Sequence, residues 1–201
     1  DWPTGTRCTG HPVLEMPEWR PPSSLLRFLD SGEPPVYVGF GSVPVRDPAG
    51  EVARWAEAAR RAGTRALLYP AAGFTDWDRD YGEHVHLVRF APHDWLLPRT
   101  AAAVHHGGAG TTHGALAAGV PQGVIPFSLD QPYFARRVAV LGLGPGGLDP
   151  GRTDVEGPTR LLTDLTRGER AEGYRRRARE AARAVERENG ARTAARILLG
   201  S

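Results

Sequence analysis

The sequence predicts the α/β class: a parallel sheet with helices covering both faces. Three observations carry that prediction. Short runs rich in Val, Tyr, Leu and Ile alternate with longer runs whose apolar residues recur at helical spacing. The strand-like runs are apolar at successive residues, as strands buried on both faces require. The 25 Gly and 18 Pro fall between these runs and punctuate them, instead of forming a low-complexity block.

Taken in order, residues 1–34 contain "HPVLEMPEWRPPSS", whose prolines predict an extended linker, followed by a short helix at Leu25 to Leu29. "PVYVGFGS" (35–42) predicts a buried strand ending in a tight glycine loop. "EVARWAEAARRAG" places Val52, Trp55, Ala56 and Ala59 on one helical face, and Gly63 caps its end. "TRALLYP" (64–70), "HVHLVRF" (84–90) and "AAAVHH" (101–106) predict the second, third and fourth strands. Gly107 to Gly110 lead into a helix from Thr111 to Ala118; "QGVIPF" (122–127) is the fifth strand and "QPYFARRVAVLG" (131–142) the next helix. From about Pro158 the chain is expected to be helical, with Tyr174, Ala178, Ala181 and Val185 on one face and a break at Gly190. The expected organisation is a linker and short helix over 1–34 and one sheet-based domain over 35–201.

A chain of 201 residues, 40% hydrophobic and 24% charged, suits such a domain. Its formal charge of +2 argues against a nucleic-acid partner, and the Arg-rich stretch near the C-terminus alternates with Glu and Ala as a solvated helix face does. The lone Cys8 excludes an intrachain disulfide and a cysteine-built zinc cluster, so a cytoplasmic location is expected. There is no bilayer-length apolar run and no signal peptide, so stable membrane insertion and export are not expected. The first residue is Asp1, not Met, so the chain is expected to be cut from something longer, or processed.

Ligands of parallel sheets sit beyond the carboxyl ends of the strands, where both glycine loops fall, after Phe40 and after His106. "HGGAGTT" puts small residues where backbone approaches a ligand, then starts a helix whose free N–H groups attract an anion. Thr111 and Thr112 can cap that helix or donate to the same anion; His106 adds a ring N–H and Ser42 a hydroxyl. Together these fit a diphosphate held without a metal. On spacing alone a second reading is equally good: the loop only turns the chain, and His105 and His106 are ordinary strand-end residues.

Residues 90–135, "FAPHDWLLPRTAAAVHHGGAGTTHGALAAGVPQGVIPFSLDQPYFA", resemble the donor-binding signature of nucleotide-sugar glycosyltransferases of the GT-B fold. The likeness is to sterol glucosyltransferases and to bacterial enzymes that glycosylate antibiotics and other natural products. "PPVYVGFGSVPVRDP" and "LGLGPGGLDPGR" also resemble the sterol-type branch, and the agreement runs from about Leu25 to Leu198. The resemblance implies a Rossmann-like C-terminal half of a GT-B fold. It implies that His106 and the loop Gly107, Gly108, Ala109, Gly110, Thr111 and Thr112 hold the diphosphate, with Ser42 on the opposite wall. Asp130 and Gln131 correspond to the family's Asp-Gln pair on the donor-sugar hydroxyls, and their chemistry fits: a carboxylate accepts, while an amide both donates and accepts. The other reading of "DQP" is a helix N-cap, and the two are compatible.

Phe90 stands where plant relatives stack a Trp on uracil, and Ala91 would offer its backbone to the base edge; a buried core Phe is the alternative. Gly114 falls where plant enzymes carry a Glu on the ribose hydroxyls, which keeps dTDP donors open beside UDP donors. In the family the acceptor pocket and the His general base belong to an N-terminal half, to be supplied in cis or by a separate chain. The implied reaction is inverting transfer from a UDP- or dTDP-sugar to an acceptor hydroxyl, with no cofactor and no metal. His106, the helix N-terminus and the loop amides would stabilise the leaving diphosphate. This chain alone would bind donor and transfer negligibly.

Two rivals stand beside this: a nucleotide-sugar binding module without activity, and a nucleotide-sugar epimerase, disfavoured by the Asp-Gln pair. Other patterns are set aside. Asp76 and Asp78 fall in a predicted loop with no carboxylate cluster to complete a hard-cation site, and read as a solvated acidic loop. Gly142, Gly144 and Gly147 have dinucleotide spacing, but no helix follows, and Pro44 spoils the same pattern after the first strand. His84, His86 and His113 read as surface or loop residues. His93 and Asp94 are placed to touch a nucleotide, and Trp95 to pack.

Overall fold

The computed structural model describes residues 3–12, 16, 18–41, 43–151 and 154–200. Five short strands form one parallel sheet: β1 (Val36–Gly39), β2 (Ala66–Tyr69), β3 (Val85–Leu87), β4 (Ala102–His105) and β5 (Gln122–Val124), in the order β3-β2-β1-β4-β5. The strands are shorter than the apolar runs predict. Pairing register limits them: β1 meets β2 from Val36 opposite Ala66 to Gly39 opposite Tyr69, and beyond Gly39 the chain turns at Gly41 (φ +61°). Pro126 donates no N–H, and β5 ends at Val124.

Side chains alternate between the two faces. Val36, Val38 and Phe40 point to one face, where α2 (Pro48–Ala62) and α6 (Glu156–Thr166) supply Trp55, Ala59, Leu162 and Leu165. Tyr37 and Leu67 point to the other, against Leu25 and Phe28 of α1 (Ser23–Asp30), Leu96 of α3 (His93–Leu96) and Ala115 of α4 (Ala109–Ala118). Helices on both faces of a parallel sheet make the fold Rossmann-like, as the sequence pattern predicts. Helix α2 ends as expected at Gly63, which is left-handed (φ +60°), and starts earlier than expected because Asp47 accepts from the Gly50 N–H and Pro48 opens the first turn.

The expected C-terminal helical region is three helices, α6, α7 (Gly168–Glu186) and α8 (Gly190–Leu199). They are separated by left-handed residues at Gly168 (φ +72°) and at Asn189 (φ +44°), next to the predicted break at Gly190. Between α5 (Gln131–Val140) and α6, the run containing Gly144 and Gly147 lies along β5 and covers its open edge. The Gln122 N–H donates to the Leu143 carbonyl (2.9 Å) and the Leu148 N–H to the Val124 carbonyl (3.1 Å). That is the use of its glycines: a Cβ on either would strike the β5 backbone.

His84 lies in the turn before β3, as expected of a loop residue, whereas His86 does not. The His84 Nε2 bonds the Ala56 carbonyl (3.0 Å), and His86 lies within β3, half-buried and stacked on Phe28 at 5.3 Å. Trp95 packs edge-on against Trp19 at 4.9 Å. Among the described residues no helix is long and apolar enough to cross a membrane, and no three His, Cys, Asp or Glu side chains are grouped to hold a metal ion.

Candidate functional site

β1 and β4 are neighbours, with Gly39 opposite His105, so their two glycine loops leave the sheet side by side at its carboxyl edge. His105 is fully buried and shapes the second loop. Its Nδ1 accepts the Gly107 N–H (3.0 Å), so the proton of the neutral ring sits on Nε2 and is donated to Gln122 Oε1 (2.9 Å). Burial pushes this imidazole down to about 4, against the bond from Gln122 and with help from His106 and His93. Gly107 is left-handed (φ +89°), and a Cβ there would lie 2.8 Å from Val124 and 3.2 Å from the Gln131 carbonyl oxygen.

His106 points the other way, between the loops. A Cβ on Gly41 would come within 3.0 Å of its ring, and one on Gly108 would be driven into it. The His106 Nδ1 is buried with no hydrogen-bond partner among the described residues. Burial holds its pKa below the ordinary value, while the Asp130 carboxylate opposes that shift. Gly108 is the extended N-cap of α4, which starts at Ala109, two residues before the spacing predicts. Thr112 explains the early start: its N–H (3.0 Å) and its hydroxyl (2.9 Å) both donate to the Gly108 carbonyl. Thr112 thus takes the helix-end role that its spacing allows, with both of its donors on the Gly108 carbonyl. The N–H groups of Ala109, Gly110 and Thr111 lack intrahelical acceptors and face out of the helix end.

A cleft of about 580 Å³ opens beside this turn, lined by Gly41, Phe90, Ala91, His93, Gly110, Thr111 and Gly114 among others. Phe90 is 50% exposed, so the core alternative does not hold: the ring is a free apolar wall. The His93 Nε2 lies 3.4 Å from the Tyr37 hydroxyl, and burial, the largest influence, lowers the pKa of this ring. Tyr37 lines the cleft from the strand beneath it, a role hidden in the sequence because Tyr37 sits inside a buried apolar run.

Asp130 stands at the N-terminus of α5 and is exposed, makes no side-chain cap bond, and follows Leu129 in a left-handed turn (φ +56°). Gln131 is buried, and its Oε1 accepts the N–H of Phe127 (2.7 Å) and of Ser128 (3.1 Å). The amide oxygen expected to face a sugar is thus committed to the loop, leaving its NH₂ group to donate. His106, Gly107, Gly108, Asp130 and Gln131 form one cluster, joined to the cleft through the first turn of α4. Ser42 lies outside the described residues. A second depression, of about 650 Å³, lies between the N-termini of α2 and α6 and carries no glycine turn of this kind.

Comparison with known proteins gives this arrangement a family. The chain is 38% identical over 146 residues to a sterol 3-beta-glucosyltransferase of Arabidopsis thaliana, covering 72% of this chain and 23% of that protein. It therefore spans less than a quarter of that relative's length. The fold matches Os79 of O. sativa, solved in complex with UDP, with TM-score 0.70, 25% identity and coverage of 83% of this chain and 41% of that one. It also matches the glycosyltransferase SnogD of Streptomyces nogalater, with TM-score 0.61, 24% identity and coverage of 94% and 46%. Residues 77–194, which hold the glycine turn, α4 and the Asp130–Gln131 pair, match the model for the erythromycin biosynthesis protein CIII-like C-terminal domain, and the chain belongs to that family of glycosyltransferase C-terminal domains.

Proposed function

We propose that this chain is the donor-binding half of an inverting glycosyltransferase, holding a UDP- or dTDP-sugar for transfer to a hydroxyl of a lipid or natural product. The observation that carries the reading is the half-buried His106 ring, seated where only glycines leave room, beside three free helix N–H groups and an open cleft with an exposed aromatic wall. The base would lie on Phe90 with its edge at the Ala91 backbone, and the diphosphate would reach the first turn of α4. Asp130 would accept from sugar hydroxyls and the Gln131 NH₂ group would donate to them.

In the reaction, negative charge grows on the departing diphosphate. The Ala109, Gly110 and Thr111 amides and the His106 ring are fixed before the reaction starts, so they stabilise that charge without reorganising. They need no metal and no cofactor. The general base and the acceptor pocket belong to an N-terminal domain, in cis or on a separate chain, so this chain by itself binds donor and does not turn it over. Titration with UDP and dTDP in metal-free buffer tests the reading. Saturable binding of either supports it and ranks the two bases; no binding to the folded chain contradicts it.

A further inference from the structure

The segment before α1 contributes to the cleft. Gly10 and Gly190 meet backbone to backbone: a Cβ on Gly10 would lie 2.7 Å from Glu188, and one on Gly190 2.8 Å from the His11 carbonyl carbon. That contact seats His11 against α4, its ring stacked on His113 at 4.7 Å and 11° between planes. His113 is itself anchored, its Nδ1 bonding the Ala109 carbonyl (2.7 Å) and its ring meeting Phe134 edge-on at 5.7 Å. Farther along, Trp19 closes on Trp95, and between these anchors Pro12 and Met16 also line the cleft.

The ring nitrogens of His11 have no hydrogen-bond partner among the described residues, and the side chain is only partly buried, on the cleft wall. Beyond its first turn, α4 gives that wall only Gly114, Ala117 and Ala118, none with a polar side-chain atom. His93, the other imidazole there, already has Tyr37 at its Nε2. The exposed Asp94 carboxylate, also on the cleft, can only accept, whereas an imidazole can both donate and accept. A nucleotide running from Phe90 to the first turn of α4 places its pentose between those ends, and pentose hydroxyls need polar partners when they leave water. From this juxtaposition we infer that His11 binds the pentose hydroxyls of the donor nucleotide. The segment that enters the domain then forms part of the donor site. The inference rests on the nucleotide reading of the cleft.

The test titrates wild type and His11→Ala with whichever of UDP and dTDP binds better, and with its 2′,3′-dideoxy counterpart. His11→Ala should weaken the hydroxyl-bearing nucleotide about fivefold or more, the size of one hydrogen bond, and leave the dideoxy nucleotide within about twofold. Equal loss for both nucleotides overturns the inference, because His11 would then only hold the wall in place. Unchanged affinity for both also overturns it, while leaving the nucleotide reading intact. If wild type binds neither nucleotide, the nucleotide reading falls and the inference with it.

Discussion

Replacing His105 by Gln removes a buried imidazole while keeping a side chain that can meet Gln122 and Gly107. In the native chain that imidazole is pushed down to about 4 from an ordinary 6.5. Between those values the unfolded chain binds a proton and the native chain does not, so stability rises with pH across this window. The contribution is complete above pH 6.5 and is lost as pH falls toward 4. The difference corresponds to about 3 kcal/mol in full, most of it lost by pH 4.5. That is a large part of the roughly 5–15 kcal/mol that holds a domain together. The assay is urea unfolding followed by fluorescence, with Trp55 as a buried reporter, at pH 7.5, 6, 5 and 4.5. His11, His86, His93 and His106 also have lowered values and tilt the curves of both proteins, so the informative quantity is the gap between wild type and variant. The gap should shrink by about 2–3 kcal/mol from pH 7.5 to 4.5. A gap that stays constant with pH would refute a neutral, buried His105.

Gly107→Ala forces a Cβ into the left-handed region, at about 1–2 kcal/mol, and crowds Val124 and the Gln131 carbonyl, at roughly 1–3 kcal/mol more. Its melting temperature should fall by about 5–15 °C, read by calorimetry. Product formation from a labelled nucleotide sugar and a panel of acceptors should be undetectable with this chain alone. It should appear when an N-terminal acceptor domain is joined to it or added.

Much of the fold was legible because burial writes itself into composition. The alternation of apolar runs gave five strands in their order, and Gly63 announced the end of α2 because a left-handed cap selects glycine. Strand lengths were not legible. They depend on pairing register, which a single run of apolar residues does not encode. Within the site, the glycine turn was visible as a turn, but the division of labour inside it was not. His105 and His106 are adjacent and chemically identical, and only the sheet edge decides which is buried against Gln122 and which faces Gly41 and Gly108. Thr112 and Gln131 carry chemistry that suits a ligand contact, and each also bonds nearby backbone groups, a partnership that local spacing does not reveal. His11 lay in a stretch read as linker, because a partner 102 residues away in sequence cannot be seen from local spacing.

The most direct measurement is calorimetric titration of UDP and dTDP, without metal, into wild type beside His106→Ala. Loss of one hydrogen bond to a charged diphosphate predicts affinity weaker by about 10- to 100-fold in the variant, with its melting temperature near that of wild type. Wild-type affinity in a folded His106→Ala variant would contradict the diphosphate site at the glycine turn.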